Sequence, residues 1–334
     1  MDLVYEEPFY ASEIFDFYFG EARLGVFDIE TTGLSASGAK LILGGLLIPW
    51  AGGVRVRQFF AEGAHEEAEL LALYTDALAE TDVLFSYNGD RFDIPFVNER
   101  LARRRRPPAF GDCLSFDMYR VIRNHSHLGD MLPNLKQKTV EDYLGLWRER
   151  KDRITGADSV RLYYEYTASR SPELLRRILL HNSDDLLQLA RVLRVFGKLD
   201  LHKIASHVGF PVKCGESFAF VTEIKLDRRA LEFSGKYGAF LPFDCVRFDE
   251  PWRISFQSET ERFSVRVPCR CEAGVMFADL AELGADERDF AAYPAYGSGY
   301  LALRQGKEIL YGPMNRLIKH VTQTAIARLS PSAR

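Results

Sequence analysis

Apolar and polar positions along the chain fall into two kinds of block. Short runs of branched and aromatic residues at 23–33 (RLGVFDIETTG), 40–50 (KLILGGLLIPW), 54–60 (VRVRQFF) and 82–87 (DVLFSY) read as buried strands. The AGG at 51–53 makes a tight turn, and the NGD at 88–90 is turn chemistry. Helical spacing governs 65–80 (HEEAELLALYTDALAE) and 91–104 (RFDIPFVNERLARR), the latter helical from about Ile94 with Pro95 in its first turn. Residues 112–122 (DCLSFDMYRVI) pass from strand to helix, short helices and loops fill 134–170, and one long helix runs from Ser171–Pro172 to about Lys198. This alternation predicts an α/β fold with a mixed sheet flanked by helices.

Beyond about residue 200 the period shortens. Stretches 217–227, 230–235, 252–257 and 262–269 are strand-like, and helices are predicted near 278–284 and 312–329. The organisation expected is an N-terminal segment (1–22), an α/β domain (23–199) and a second, mainly β (α+β) accessory domain (200–334). The accessory domain should end in an amphipathic helix, with Met314, Leu317, Ile318 and Val321 inward and Arg316 and Lys319 outward. The final SPSAR reads as disordered.

Composition changes this picture little. Over 334 residues, 47% are hydrophobic and the net charge is −4, so a polyanionic partner is not announced by bulk charge. The opening MDLVYEEPFYASEIFDFYF has no Lys or Arg and no apolar run long enough for a signal peptide or membrane helix; the expectation is a cytoplasmic protein with no membrane partner. Five cysteines, of which only Cys269 and Cys271 are close, read as reduced thiols in or near a core. Basic tracks at 100–108, 147–153 and 316–320 each read first as a solvated face and second as phosphate contacts. Lys136 and Arg153 are candidates alike for phosphate contacts and for ordinary surface residues.

Candidate chemistry begins on the long helix. His181 and Asp185 are four apart and share one helical face. A satisfied ion pair would look the same, so the other acids decide. Asp28 and Glu30 project from one face of the first strand, amid Val26, Phe27 and Ile29, where carboxylates without a counter-charge are costly. Asp93 sits at a helix start after a turn. Four carboxylates from separate places in the chain can surround two hard cations, Mg²⁺ or Mn²⁺, as in two-metal phosphodiester hydrolysis. His181 can then take the proton of the attacking water, while Asp184 is read as a solvated neighbour and Asp117 as a helix-start residue near the site. The NHSH at 124–127 offers two imidazoles that diverge at a helix end.

FDIETTGL (27–34), SYNGDRFDIPFV (86–97) and HNSDDLLQL (181–189) resemble, in order, the three motifs of the DEDD (DnaQ-like) 3′–5′ exonucleases. RQFFAEG, DRITGADSVRLYYEY and the HN-x-x-D form of the third motif look most like the YprB-like branch of predicted RNase-H-like nucleases. The resemblance covers roughly 23–198. It implies an RNase-H-like fold, Asp28, Glu30, Asp93 and Asp185 as ligands of two divalent cations, and His181 as general base. It also implies Thr31, Thr32, Gly33, Leu34, Asn88 and Phe92 around the terminal nucleotide. His181 departs from the pattern: it precedes Asp185 by four, where the superfamily has His at five or Tyr at four.

The function expected is metal-dependent hydrolysis of phosphodiester bonds at single-stranded 3′ ends, DNA or RNA, to nucleoside 5′-monophosphates. A nucleic-acid-binding scaffold with little turnover and a structure-specific endonuclease are the competing classes. Tyr237, Phe240, Phe243, Tyr293 and Tyr296 of the accessory domain are candidates either for stacking on bases or for core packing.

Overall fold

The computed structural model describes residues 1–146, 151, 154–238, 244–249 and 252–329. Most of the basic track 147–153 with Arg153, the candidate stackers Phe240 and Phe243, and the SPSAR tail lie outside the described residues. The chain forms two compact units, one of residues 1–16 and 22–199, the other of residues 17–21 and 200–334.

The first unit is built on a mixed sheet whose strands are β1 (Asp2–Tyr5), β2 (Leu24–Thr31), β3 (Leu41–Trp50), β4 (Gly53–Phe60), β5 (Val83–Ser86) and β6 (Leu114–Asp117), in the order β1-β4-β3-β2-β5-β6. β2 runs parallel to β5 and β5 to β6, while the β1–β4, β4–β3 and β3–β2 pairs are antiparallel. The helices are α1 (Glu13–Phe19), whose length straddles the division between units, α2 (Glu67–Leu78), α3 (Asp93–Ala102), α4 (Met118–His125), α5 (Leu128–Met131), α6 (Gln137–Tyr143), α7 (Gly156–Ser169) and α8 (Pro172–Val192), the last continued by a 3₁₀ turn over Leu193–Lys198. β1 and α1 are additions to the strand and helix pattern expected from sequence.

β2 is buried on both faces, which explains its nearly continuous apolar run. Phe27 and Ile29 join Leu70, Leu71 and Tyr74 of α2 and Phe96 of α3 in one core. A second core sets Ile42 and Leu43 against Leu162, Tyr163 and Tyr166 of α7 and Ile178 of α8. Two adjacent glycines of β3 permit this layering. A Cβ on Gly44 would lie 2.6 Å from the ring of Tyr74, and one on Gly45 would lie 2.3 Å from the Asn182 side-chain oxygen.

Two arginines of the basic track after Asp93 are used inside the unit. Arg100 Nε and Nη2 donate to Glu67 of α2 at 2.7 and 2.6 Å, and Arg104 Nη2 donates to it at 2.8 Å. Arg100 also holds the Ala36 carbonyl at 3.0 Å, and Leu41 N–H reaches Glu67 at 2.9 Å. Glu67 is fully buried and Arg100 5% exposed, and Arg100 ties this buried cluster to the loop after β2 through the Ala36 carbonyl. Burial opposes ionisation of Glu67, but the Arg100, Arg104 and Leu41 donors outweigh it and hold the carboxyl down to about 2. Because the folded pKa lies below the ordinary 4.5, this contribution to stability is present above pH 4.5 and lost as pH falls from there toward about 2. Glu67→Ala should therefore cost about 3–5 kcal/mol, as loss of one partner of a buried pair does. Thermal melts from neutral to acid pH check it: the wild type should lose stability through that window and the variant far less, and parallel curves would contradict the assignment.

The second unit carries α9 (Leu201–Val208) and a six-stranded antiparallel sheet of β7 (Phe210–Cys214), β8 (Ser217–Leu226), β9 (Ala230–Tyr237), β10 (Cys245–Asp249), β11 (Trp252–Gln257) and β12 (Arg262–Pro268), in the order β10-β11-β12-β9-β8-β7. A smaller sheet holds β13 (Arg270–Glu272), β14 (Val275–Asp279), β15 (Ala295–Gly297) and β16 (Tyr300–Gln305), with β17 (Glu308–Ile309) paired to β16. The chain then enters α10 (Tyr311–Leu329).

Three expectations fail here. Residues 278–284 finish β14 and turn, and form no helix. Lys319 does not face outward: its ammonium donates to the Phe17 carbonyl and lies 4.5 Å from the Phe17 ring centre, and burial lowers its pKa to about 8. Cys271 is exposed, unlike a core thiol. Met314, Leu317, Ile318 and Val321 are buried as the spacing predicted. Tyr237 is core, and Tyr296 stacks on Phe277 with ring centres 4.3 Å apart.

Candidate active site

The site forms where α8 crosses β2. Asp28 and Glu30 alternate with the core residues Phe27 and Ile29, so both carboxylates leave the strand on the face opposite the α2 core. The β2–β3 register shifts between Glu30 and Thr31, a bulge that breaks the alternation at the strand's end. α8 brings His181 and Asp185 to this face one helical turn apart. His181 Nε2 lies 3.5 Å from a Glu30 oxygen and 3.6 Å from an Asp185 oxygen. Ligand atoms of Glu30, His181 and Asp185 all lie within 4.8 Å of one another, the one such cluster among the described residues.

Asp28 and Asp93 stand beside that trio rather than within it. The Asp28 carboxyl is pushed well above the usual range, first by burial and then by the negative fields of Asp93, Asp185 and Glu30, with an Asn182 hydrogen bond opposing. Asp93 opens α3, where the Ile29 N–H and its own N–H donate to it. Burial and the charges of Asp117 and Glu30 outweigh those bonds and raise it to about 7. Asp117 caps α4 by accepting Tyr119 N–H at 3.0 Å and also takes Asn88 N–H at 2.8 Å.

Two residues with no role assigned from sequence hold the arrangement. Asn182, fully buried, donates through Nδ2 to Asp28 Oδ2 at 3.0 Å, and Gln58 of β4 donates to Asn182 Oδ1 at 3.0 Å and to the Leu179 carbonyl at 2.8 Å. The chain Gln58–Asn182–Asp28 fixes one Asp28 oxygen. The asparagine of HN-x-x-D was the signal: a second polar residue next to His181, on a helix buried against a sheet, needs a partner. Gln137 of α6 also donates to the Asp185 carbonyl at 3.1 Å.

Asp184 is not the solvated neighbour expected. It is 4% exposed, and its Oδ2 accepts the Lys151 N–H at 2.6 Å. Thr31 is buried and donates to the Gly33 carbonyl at 2.9 Å, and Thr32 Oγ accepts Lys40 N–H at 2.8 Å. This tightens the loop so that Leu34 stands 87% exposed beyond the end of β2. Asn88 takes a left-handed backbone (φ 65°), and Phe92 packs partly into the core against Phe96. Lys136 is exposed ahead of α6. Of the two imidazoles in NHSH, His125 ends α4 and His127 is exposed beyond it.

A sheet of this order with an acid cluster on its first long strand is an RNase-H-like architecture. Residues 26–196 match the RNase_H_2 family of the RNase_H superfamily, and the chain belongs to that superfamily. The uncharacterised protein YprB of Bacillus subtilis (strain 168) is 32% identical over 210 residues, spanning 60% of this chain and 47% of YprB. The chain thus covers about half the length of that relative. Among solved structures, the family B DNA polymerase of the hyperthermophilic archaeon Pyrobaculum calidifontis is similar at a TM-score of 0.40 and 14% identity, over 92% of this chain and 46% of the polymerase. No helix among the described residues is long and apolar enough to cross a membrane.

The hydrogen bond to Asp28 gives a direct prediction. Asn182→Ala should lower the rate of any metal-dependent reaction here, or its metal affinity, by about 10–100-fold, the usual cost of losing a residue that orients a ligand. Gly45→Ala, whose Cβ would occupy the Asn182 oxygen position, should do the same. Metal titrations and steady-state rates check both, and wild-type values in Asn182→Ala would leave Asp28 positioned by the fold alone.

Proposed function

We propose that the protein is a metal-dependent 3′–5′ exonuclease that hydrolyses phosphodiester bonds at single-stranded nucleic-acid 3′ ends and releases nucleoside 5′-monophosphates. The observation that carries this reading is the convergence of Glu30, His181 and Asp185 within 4.8 Å, beside two further acids, the half-buried Asp28 and the buried Asp93. Membership of the RNase H superfamily supports it. Carboxylates crowded against one another, with raised pKa values, fit divalent cations, whose charge offsets both burial and repulsion.

Asp28, Glu30, Asp93 and Asp185 would hold two such ions, Mg²⁺ or Mn²⁺, both of which favour oxygen ligands. When bound, the ions supply positive charge to the attacking and leaving oxygens. His181 Nε2, facing Glu30 and Asp185, accepts the proton of the attacking water. Asn182 and Gln58 hold Asp28 in place. The tight loop from Thr31 to Leu34 receives the terminal nucleotide, with the exposed Leu34 side chain against its base and Asn88 and Phe92 shaping the opposite side.

Hydrolysis of labelled single-stranded DNA and RNA, with product analysis, tests the reading. Nucleoside 5′-monophosphates should form in Mg²⁺ or Mn²⁺ and cease in excess EDTA. Full hydrolysis in EDTA, or products with 3′-phosphates, would contradict it.

A further inference from the structure

The loop that carries Asp93 is held from one side. β5 ends at Ser86 and α3 begins at Asp93, so residues 87–92 set where that carboxylate points. Within the loop Asn88 takes a left-handed backbone (φ 65°). Its carbonyl accepts the Arg91 and Phe92 N–H groups, both at 3.2 Å, and the Gly89 carbonyl accepts Ile94 N–H at 3.0 Å. The loop therefore passes into α3 without slack. A non-glycine residue in the left-handed region persists where its surroundings over-determine it.

Those surroundings are the junction of β6 and α4. Asp117, the last residue of β6 and the cap of α4, takes both Asn88 N–H and Tyr119 N–H on one oxygen, Oδ1. Two residues on, Asp90 accepts Ser115 Oγ at 2.6 Å and Arg120 Nη1 at 2.5 Å. One strand end and the first turn of one helix thus grip the loop at Asn88 and again at Asp90.

Capping alone does not account for Asp117. Serine or asparagine would cap α4 as well, and a buried carboxylate is the costlier choice. Asp117 is 2% exposed, and its Oδ2 has no hydrogen-bond partner among the described residues. The same holds for Oγ of Ser86, fully buried and opposite Asp117 in the β5–β6 register. The charge of Asp117 is felt at Asp93, so the two acids stand close.

We propose that Asp117 is a positioning residue: with the ties to Asp90 it clasps the 87–92 loop onto the β6–α4 junction and so sets the direction of the Asp93 carboxylate. It holds no ion and touches no substrate. That Asp93 is a cation ligand rests on the nuclease reading above. A reacting arrangement displaced by about 1 Å can lose about 10²-fold in rate, so a clasp one residue removed from the chemistry has a measurable effect.

The test is calorimetric titration of the full chain with Mn²⁺, without nucleic acid, beside steady-state kinetics on an oligothymidylate. Asp117→Ser keeps a cap for α4, but its oxygen sits one bond nearer the backbone and falls short of Asn88. Asp117→Asn keeps the acceptor at full reach. The serine variant should bind Mn²⁺ about tenfold more weakly, the lower end of the cost of losing an orienting partner. It should also lower kcat with little change in KM, and the asparagine variant should recover most of both losses. Wild-type Mn²⁺ affinity in Asp117→Ser overturns the proposal, and so does an equal loss in the asparagine variant. If Asp117→Ser does not fold, Ser115→Ala/Arg120→Ala decides, because it cuts only the ties to Asp90: weaker Mn²⁺ binding supports the clasp and wild-type binding overturns it. The two readings fail separately. Mn²⁺ affinity that falls in Asp117→Ser and recovers in Asp117→Asn, with no hydrolysis by the wild type, retires the nuclease and keeps the clasp. Hydrolysis by the wild type, with Mn²⁺ affinity unmoved in Asp117→Ser, retires the clasp and keeps the nuclease.

Discussion

Asp185→Ala, Glu30→Ala, Asp28→Ala and Asp93→Ala should each reduce hydrolysis by at least about 10³-fold while the protein stays folded. A cation at such a site contributes several kcal/mol of charge stabilisation to phosphoryl transfer, and each 1.36 kcal/mol is a factor of ten in rate. Stability should move the other way. Asp28 is pushed up by burial and by the fields of Asp93, Asp185 and Glu30, so removing one member relieves repulsion in the metal-free protein. The metal-free variants should therefore melt no lower than wild type, and should lose most of the stabilisation that Mn²⁺ gives it. Melting curves with and without Mn²⁺, beside initial rates, check both halves. A wild-type rate in Asp185→Ala would transfer the ligand role to Asp184, although the Asp184 carboxylate already accepts the Lys151 N–H.

His181→Ala should slow hydrolysis by about 10²–10⁴-fold, the range of general-base assistance, with metal affinity little changed. His181→Tyr makes the sharper comparison, because it puts at this spacing the side chain found there in the other class of the resembling superfamily. It should retain more activity than the alanine variant and shift the optimum to higher pH, since an ordinary tyrosine titrates near 10 and a histidine near 6.5. The geometry sets the competing outcome. His181 Nε2 is as close to Glu30 and Asp185 as a shared ligand would be. Loss of metal binding in both variants would make His181 a ligand, and equal rates for Ala and Tyr would remove the base.

What the sequence made readable was local chemistry in a regular frame. The strands of the first sheet from β2 onward and the helices carrying Asp93 and His181 followed from periodicity, because each buries a broad apolar face. β1 is four residues with a weak alternation, and it gains its identity only by pairing with β4. α9 is one short helix between a connector and a β-rich region, which periodicity alone does not separate from a turn. Charge was the poorest guide. The arginines after Asp93 look like a phosphate track, yet Arg100 and Arg104 meet Glu67, more than thirty residues earlier, across a buried interface no local pattern records. Lys319 likewise looked solvent-facing on the helical wheel until residues 17–21, far away in sequence, joined the second unit. Asp184 looked solvated although it accepts a backbone N–H, a partner that carries no side-chain signature. Asn182 stood in plain view in HN-x-x-D, but its role needs the position of Asp28, which only the β2–α8 crossing supplies.

The central claim is that the carboxylates and His181 work from a strand's 3′ end, and polarity on labelled substrates tests it most directly. Single strands of DNA and of RNA, labelled at the 5′ end, should yield a ladder that shortens progressively with time in Mg²⁺ or Mn²⁺. The same strands labelled at the 3′ end should release labelled mononucleotide at once, and all products should vanish in excess EDTA and in Asp185→Ala. Internal fragments appearing at early times, or immediate release of mononucleotide from the 5′ label, would contradict the account.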